Sequence, residues 1–113
     1  MESILTSTKK LLNIAEDYPH FDADIIMHIN TVFLNLTQIG VGPEEGFFIK
    51  DETDEWVDFI EDAIHLQAVK SYIYLKVRLL FDPPQSSAVI ESINRQISEL
   101  EWRLMVAAEK QSE

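Results

Sequence analysis

The segment from residue 63 to residue 84 reads AIHLQAVKSYIYLKVRLLFDPP and dominates the architecture of this chain. Its apolar residues recur at helical spacing up to residue 81, but they occupy nearly every side of that helix. A helix that is apolar all round is buried by more than one neighbour, so the rest of the chain has to cover it. The helix is predicted to end at residue 81, because proline disfavours a helical residue before it and cannot continue a helix.

Further helices are predicted on both sides of this segment. Apolar spacing of three and four residues places them at about 3–15, 22–39, 54–61 and 86–108, in addition to 63–81. Asp62 is expected to cap the 63–81 helix. The tail 109–113 is expected to fray.

The 22–39 helix carries the clearest end signals. Asp22 is expected to cap its first turn, and Gly40 stands where a left-handed residue ends many helices. Met27 and Leu34 lie seven residues apart, away from the main apolar face of the helix. Their position predicts a second buried face.

Glycine and proline separate the second and third helices. All three glycines lie at positions 40, 42 and 46, beside Pro43 and a run of acidic residues. The chain is therefore predicted to be all-α. It should form a small bundle of four to five helices, with a long acidic Gly/Pro-containing loop between the second and third, in a single domain over 1–113.

The charge of the chain is its most informative compositional feature. Nine Lys and Arg residues oppose 20 Asp and Glu residues, which gives a formal net charge of -11 at pH 7. Residues 44–62 contain nine acidic residues and Lys50, so this stretch contributes -8 of that total. Such an excess disfavours nucleic-acid binding and leaves either an acidic wall or an acidic docking surface. Apolar runs are only a few residues long, so neither a membrane span nor a signal peptide is predicted.

No catalytic, cofactor-binding or metal-binding residues are predicted. The chain has no cysteine, which excludes disulfides, thiolate metal ligands and a cysteine nucleophile. No two of the three histidines fall on adjacent turns of one helix. The acidic run that begins at Asp51 lacks the glycine of a calcium-binding loop, whose position is taken by Trp56.

Surplus apolar side chains predict association with other protein chains. A bundle of this size cannot readily cover all its large apolar residues, and contiguous exposed apolar patches mark association sites. The side chains assigned to such an interface, together with neighbouring acids, are Phe47, Phe48, Asp54, Glu55, Trp56, Asp58, Trp102, Leu104 and Met105.

Four stretches, taken in order, point to a known family. They are residues 21–43 (FDADIIMHINTVFLNLTQIGVGP), 56–59 (WVDF), 69–84 (VKSYIYLKVRLLFDPP) and 101–109 (EWRLMVAAE). The chain resembles the head-tail connector (head completion or adaptor) proteins of tailed bacteriophages and of prophages of Gram-positive bacteria. The resemblance spans about residues 4–109.

The resemblance implies a non-enzymatic structural subunit without a cofactor. Such subunits assemble as a ring, typically twelvefold, that docks beneath the portal after DNA packaging, extends the DNA channel and receives the tail or stopper proteins. It implies a portal contact at about residues 104–113 and a subunit or stopper contact at 41–55. DNA would pass without specific binding, and no membrane would be involved. The protein would reside in the virion at the head-tail interface, and in the host cytoplasm before assembly.

The acidic stretch suggests a direct hypothesis within that reading. Some acids of residues 44–62 would face the channel or a neighbouring subunit, since a negative lumen does not hold phosphates. Reversal of Asp54, Glu55 and Asp58 to lysine is then expected to impair particle completion or DNA ejection without unfolding the monomer.

Two other classes of protein remain open. An acidic DNA mimic that inhibits a nucleic-acid-binding protein would share the net charge, but it would spread carboxylates over a surface in the manner of phosphates. A four-helix enzyme or metal carrier would need carboxylate and histidine pairs that face the bundle interior. The chain contains no Glu-x-x-His sequence.

Overall fold

A computed structural model describes residues 2–112 of the chain. Its helices are α1 (Ile4–Leu11), α2 (Asp22–Gln38), α3 (Trp56–Phe59), α4 (Ala63–Phe81) and α5 (Ser87–Ser112). No strand occurs in this range, and the only β-type pairing described is an isolated bridge between Ser3 and Glu55. The prediction of an all-α bundle of four to five helices is therefore confirmed.

Helix α4 is the centre of the bundle. It packs against both α2 and α5, while α1 packs against α2. Four of its side chains are buried, namely Val69, Tyr72, Ile73 and Val77. Burial of each large apolar side chain contributes about 1.5–3 kcal/mol, so the apolar character of α4 is what holds its two neighbours. The expectation that α4 is covered from more than one side is confirmed.

Helix α4 begins at a well-formed cap. The Asp62 carboxylate accepts hydrogen bonds from the backbone N–H groups of Ile64 (2.9 Å) and His65 (3.4 Å). These contacts satisfy two of the donors that the first turn leaves free. The predicted cap at Asp62 is confirmed.

Helix α1 is shorter than its apolar pattern predicts. It ends at Leu11 because Asn13 adopts a left-handed conformation, with a φ angle of 63°. The Asn13 N–H donates to the Lys10 carbonyl (3.1 Å) and the Ile14 N–H donates to the Lys9 carbonyl (2.9 Å). This pair of bonds is a Schellman motif, which asparagine can close in place of glycine.

Helix α2 ends as predicted but begins differently. Gly40 has a φ angle of 89°, and the Val41 N–H donates to the Leu36 carbonyl (2.9 Å) to close the last turn. At the other end, Asp22 is the first helical residue and not the cap. Its carboxylate instead lies 2.8 Å from the Lys9 Nζ atom, so the ion pair takes the place of the predicted capping contact.

Residues 39–55 connect α2 to α3 without a helix or strand, and their middle part is fastened to α2. The Asn30 side chain donates to the Ile49 carbonyl (3.0 Å) and accepts from the Ile49 N–H (2.7 Å). Ile49 is buried, and the Phe47 ring packs against the rings of Phe33 and Phe59. One side chain of α2 therefore fixes the path of this connecting segment.

Helix α5 extends beyond its predicted end. It continues to Ser112, through most of the tail that was expected to fray, while Glu113 lies outside the described residues. No glycine or proline follows Pro84, and alanine, glutamate, lysine and glutamine are good helix formers. Its inner face buries Ile93, Ile97 and Leu104.

No helix in the described range is both long enough and apolar enough to cross a membrane.

Candidate functional site

The residues predicted to form an interface occupy different environments in the structure. Trp56 and Leu104 are 3% and 2% exposed and belong to the core. Phe48 and Trp102 are 70% and 62% exposed, and Met105 is also exposed. A partner can therefore reach two separate surfaces, one around Phe48 and one around Trp102.

We define the Phe48 segment as residues 47–52. Its backbone is held by Asn30 at Ile49, so the inward side chains are fixed while the Phe48 ring projects outward. Asp51 and Glu52 follow and are exposed. Aromatic side chains are enriched at protein–protein interfaces, so the exposed Phe48 ring on an ordered backbone marks a candidate protein-binding surface.

The Asp54 carboxylate orders the acidic end of this segment. Its Oδ2 atom accepts hydrogen bonds from the N–H groups of Lys50 (2.6 Å) and Asp51 (3.2 Å). The Asp51 carboxylate in turn accepts from the backbone N–H (2.9 Å) and the hydroxyl of Thr53. These contacts with Thr53 hold the pKa of Asp51 below its ordinary value. Asp51 therefore stays charged at any pH near neutral.

Glu55, Trp56 and Asp58 belong to the junction between α3 and the start of the chain. The Glu55 N–H donates to the Asp58 carboxylate (3.0 Å), which caps α3. The Trp56 indole N–H donates to the Ser7 hydroxyl (2.8 Å), and the Lys70 Nζ lies 5.7 Å from the centre of the indole ring. The described contacts of the Trp56 side chain are therefore made with α1 and α4 of the same chain.

The second surface is a groove at the end of the bundle where α4 begins and α5 ends. We define the Trp102 groove by its lining residues, which are His65, Trp102, Arg103, Val106, Ala107 and Lys110. Its volume is about 490 Å³. Leu104 lies below it in the core and also borders an adjoining cavity of about 20 Å³, which has room for little more than one water molecule.

Charge in the Trp102 groove differs from that of the whole chain. The fully charged residues that line it, Arg103 and Lys110, are both basic. Arg103 forms an exposed ion pair with Glu99 (2.8 Å), one turn away on α5. His65 Nδ1 lies 2.6 Å from the Asp62 carboxylate, and this contact holds the pKa of Asp62 below its ordinary value. The groove is thus an apolar surface bordered by two basic side chains, of which Arg103 is already paired with Glu99.

Sequence reasoning missed other exposed apolar residues. Met27 and Leu34 are each 59% exposed, so the prediction of a second buried face on α2 is wrong within a single chain. Ile64, beside His65 of the Trp102 groove, is 82% exposed. Apolar spacing identifies the faces of a helix, but only the neighbouring helices decide which face is covered.

A third groove runs between α1 and α4. Its volume is about 560 Å³, and its lining includes Lys10, Leu11, Trp56, Lys70 and Tyr74. Lys70 is already paired with Glu2 across it. In residues 2–112, no group of three or more histidine, aspartate or glutamate side chains is placed to hold a metal ion.

Exposed aromatic side chains on a small helical bundle are typical of proteins that bind other proteins. The model of one protein family, described as phage connector protein, matches residues 4–111. The chain belongs to that family of phage connector proteins, and the predicted resemblance is confirmed. It is accordingly a viral protein of a structural, non-enzymatic family. Neither a curated protein nor a solved structure matches it.

Proposed function

We propose that this chain is a subunit of a closed, twelvefold ring that docks beneath the portal after DNA packaging. The ring extends the DNA channel and joins the head to the tail or stopper proteins. The observation that carries the proposal is the family match over residues 4–111 in a chain whose Phe48 and Trp102 rings are exposed. In the assembly, neighbouring subunits would cover these two aromatic side chains.

The acidic residues support a channel through which DNA slides. Glu44 and Glu45 are exposed and precede the segment that Asn30 fastens to α2. Carboxylates that line a channel repel DNA phosphates and avoid the contacts that would retain it. We assign Glu44 and Glu45 to the channel wall.

The ring is tested first by the composition of finished particles. Quantitative mass spectrometry of purified phage particles compares the copy number of this protein with that of the portal protein. Equal abundance is expected for a ring of matching symmetry. Absence from finished particles would contradict the structural role. It would then favour an acidic DNA mimic, which competition with DNA for a basic nuclease would reveal.

The channel assignment is tested by charge reversal at positions that do not support the fold. Asp54 and Asp58 bind backbone N–H groups, so their reversal would damage the connecting segment as well as the charge. Glu44→Lys combined with Glu45→Lys changes only exposed side chains, and infectious titre and the rate of DNA ejection should both fall.

The matched control, Asp17→Lys with Glu91→Lys, reverses two exposed acidic residues outside this stretch. It therefore has the same net charge as the Glu44→Lys, Glu45→Lys variant. The control should retain both titre and ejection rate. If the two double variants behave alike, net charge and not a channel wall is responsible.

A further inference from the structure

The Phe48 segment and the Trp102 groove share no residue and lie against different helices of the bundle. The Phe48 segment is fastened to α2 through Asn30, whereas most of the groove is formed by α5. Both helices pack against α4. One copy of the chain therefore carries a projecting surface beside α2 and a recessed one along α5.

The two surfaces are complementary in polarity. The groove offers the apolar surfaces of Trp102, Val106 and Ala107. The Phe48 side chain is aromatic and 70% exposed, so most of its surface is free to contact a partner. Buried aromatic side chains at the centre of an interface supply most of its binding energy.

Their charges are complementary as well. Arg103 and Lys110 border the groove, in a chain whose net charge is -11. Asp51 and Glu52 stand three and four residues after Phe48, exposed on a backbone that Asp54 already orders. A segment held in place before binding loses less conformational entropy when it docks. Opposite charges around an apolar centre also fix the register of the contact.

We propose that the Phe48 segment of one copy binds the Trp102 groove of the next copy. The contact is head-to-tail, because each copy uses one surface on one neighbour and the other surface on the other neighbour. The groove is thereby assigned to a second copy of this chain, whose acidic segment matches its basic rim. The closure of such contacts into a ring rests on the proposed function, whereas the contact between two copies does not.

The absence of cysteine from the chain permits a direct test. Two single variants, Lys50→Cys and Val106→Cys, are mixed and treated with a short thiol-specific crosslinker. Position 50 lies in the Phe48 segment, and its substitution leaves the Phe48 side chain intact. Val106 lines the groove. The mixed dimer that joins positions 50 and 106 is expected to exceed each symmetric dimer at least about tenfold. Equal yields of the three dimers would overturn the proposal.

Substitutions in the background of the crosslinking pair test the chemistry of the contact. Trp102→Ser should lower the yield of the mixed dimer about tenfold or more, since it removes the aromatic wall of the groove. Glu52→Lys and Lys110→Glu should each lower it about threefold, and together, one on each partner, they should restore it. Lys10→Glu is the matched control, because it makes the same charge change outside both surfaces. An effect of Lys10→Glu as large as that of Lys110→Glu would overturn the charge assignment.

Failure of this contact can be told apart from failure of the ring. Sedimentation of the unmodified chain, alone and with the portal ring, measures assembly without any substitution. Assembly that persists unchanged in Trp102→Ser would show that other surfaces make the contact. Absence of assembly under both conditions would overturn the contact and the ring together.

Discussion

Lys9 is the most deeply buried basic residue described in this chain, and it fastens the turn between α1 and α2. Its Nζ atom donates to the carbonyls of Glu16 (3.0 Å) and Tyr18 (2.9 Å) and lies 2.8 Å from the Asp22 carboxylate. Its side chain is 3% exposed, so this charge is compensated almost entirely by partners within the chain. A buried charge that loses its partner costs more than the pair contributes.

Lys9→Met is therefore expected to lower the free energy of unfolding by about 2–4 kcal/mol, since the Asp22 carboxylate loses its ion-pair partner and the Glu16 and Tyr18 carbonyls lose their donor. Urea denaturation measures the change. Lys10→Met, at the exposed neighbouring position, should stay within about 0.5 kcal/mol of the unmodified chain. If Lys9→Met lowers the free energy of unfolding no more than Lys10→Met does, the contacts of the Lys9 side chain are dispensable.

Gly42 is required for two separate reasons, and Gly46 isolates one of them. Both have positive φ angles, 87° and 94°, where a side chain is strained. A Cβ atom at Gly42 would lie 2.3 Å from a ring carbon of Phe59, whereas at Gly46 its nearest neighbour is 3.9 Å away. Gly42→Ala should cost about 2–4 kcal/mol and Gly46→Ala about 1–2 kcal/mol in thermal or urea unfolding. Equal losses would mean that the Phe59 ring moves aside freely.

At the scale of helices, the interface between α4 and α5 contains a polar contact among apolar side chains. The Tyr72 hydroxyl donates to the Glu101 carboxylate (2.8 Å). Burial, followed by this hydrogen bond and the charge of Glu101, raises the pKa of Tyr72 above its ordinary value of 10.0. A raised pKa means that folding favours the neutral hydroxyl. Its contribution to stability is complete below pH 10 and is lost as the pH rises toward the pKa of the folded protein.

Tyr72→Phe should lower the free energy of unfolding by about 1–3 kcal/mol near neutral pH, because a partly buried carboxylate loses its donor. The unmodified chain should also lose stability above pH 10 that Tyr72→Phe does not lose. Unfolding followed between pH 8 and pH 12 measures both effects, with Tyr18→Phe as the control at an exposed ring. Parallel pH profiles for the unmodified chain and Tyr72→Phe would contradict this role of the hydroxyl.

Helix bounds were predictable where the sequence contains a local stop signal. Gly40 ends the last turn of α2 and Asp62 starts α4, because each acts through its own backbone or side chain. The end of α1 was missed because Asn13 adopts the left-handed conformation that is routine for glycine but only occasional for asparagine. The start of α2 was misread because Lys9, from another helix, competes for the Asp22 carboxylate.

At the scale of the whole molecule, the outer face of α2 is open to solvent. Met27 and Leu34 are both exposed, although their spacing predicts burial. Met27→Gln with Leu34→Gln should therefore change the free energy of unfolding of the isolated chain by no more than about 0.5 kcal/mol. Urea denaturation at low protein concentration measures it. A loss above 2 kcal/mol would show that another part of the structure covers this face.

The exposed residues Phe48 and Trp102 could be predicted from the sequence, but the surfaces to which they belong could not. The composition shows more large apolar side chains than a small bundle can cover. Phe48 and Trp102 were selected on this ground, and both are exposed. The same reasoning selected Trp56 and Leu104, which the N-terminal helix and the inner face of α5 bury. Whether a given aromatic side chain is covered depends on contacts between residues that are distant in the sequence, as between Ser7 and Trp56.

The bridge between Ser3 and Glu55 also sets an order of folding during protein synthesis. Ile4 donates to the Asp54 carbonyl (3.0 Å) and Trp56 donates to the Glu2 carbonyl (3.2 Å), so these contacts join residues about 50 positions apart. Helix α1 has eight residues, and helices shorter than about 12 residues are marginal in water without such support. Helix α1 therefore gains these contacts only after the α3 segment has also left the ribosome.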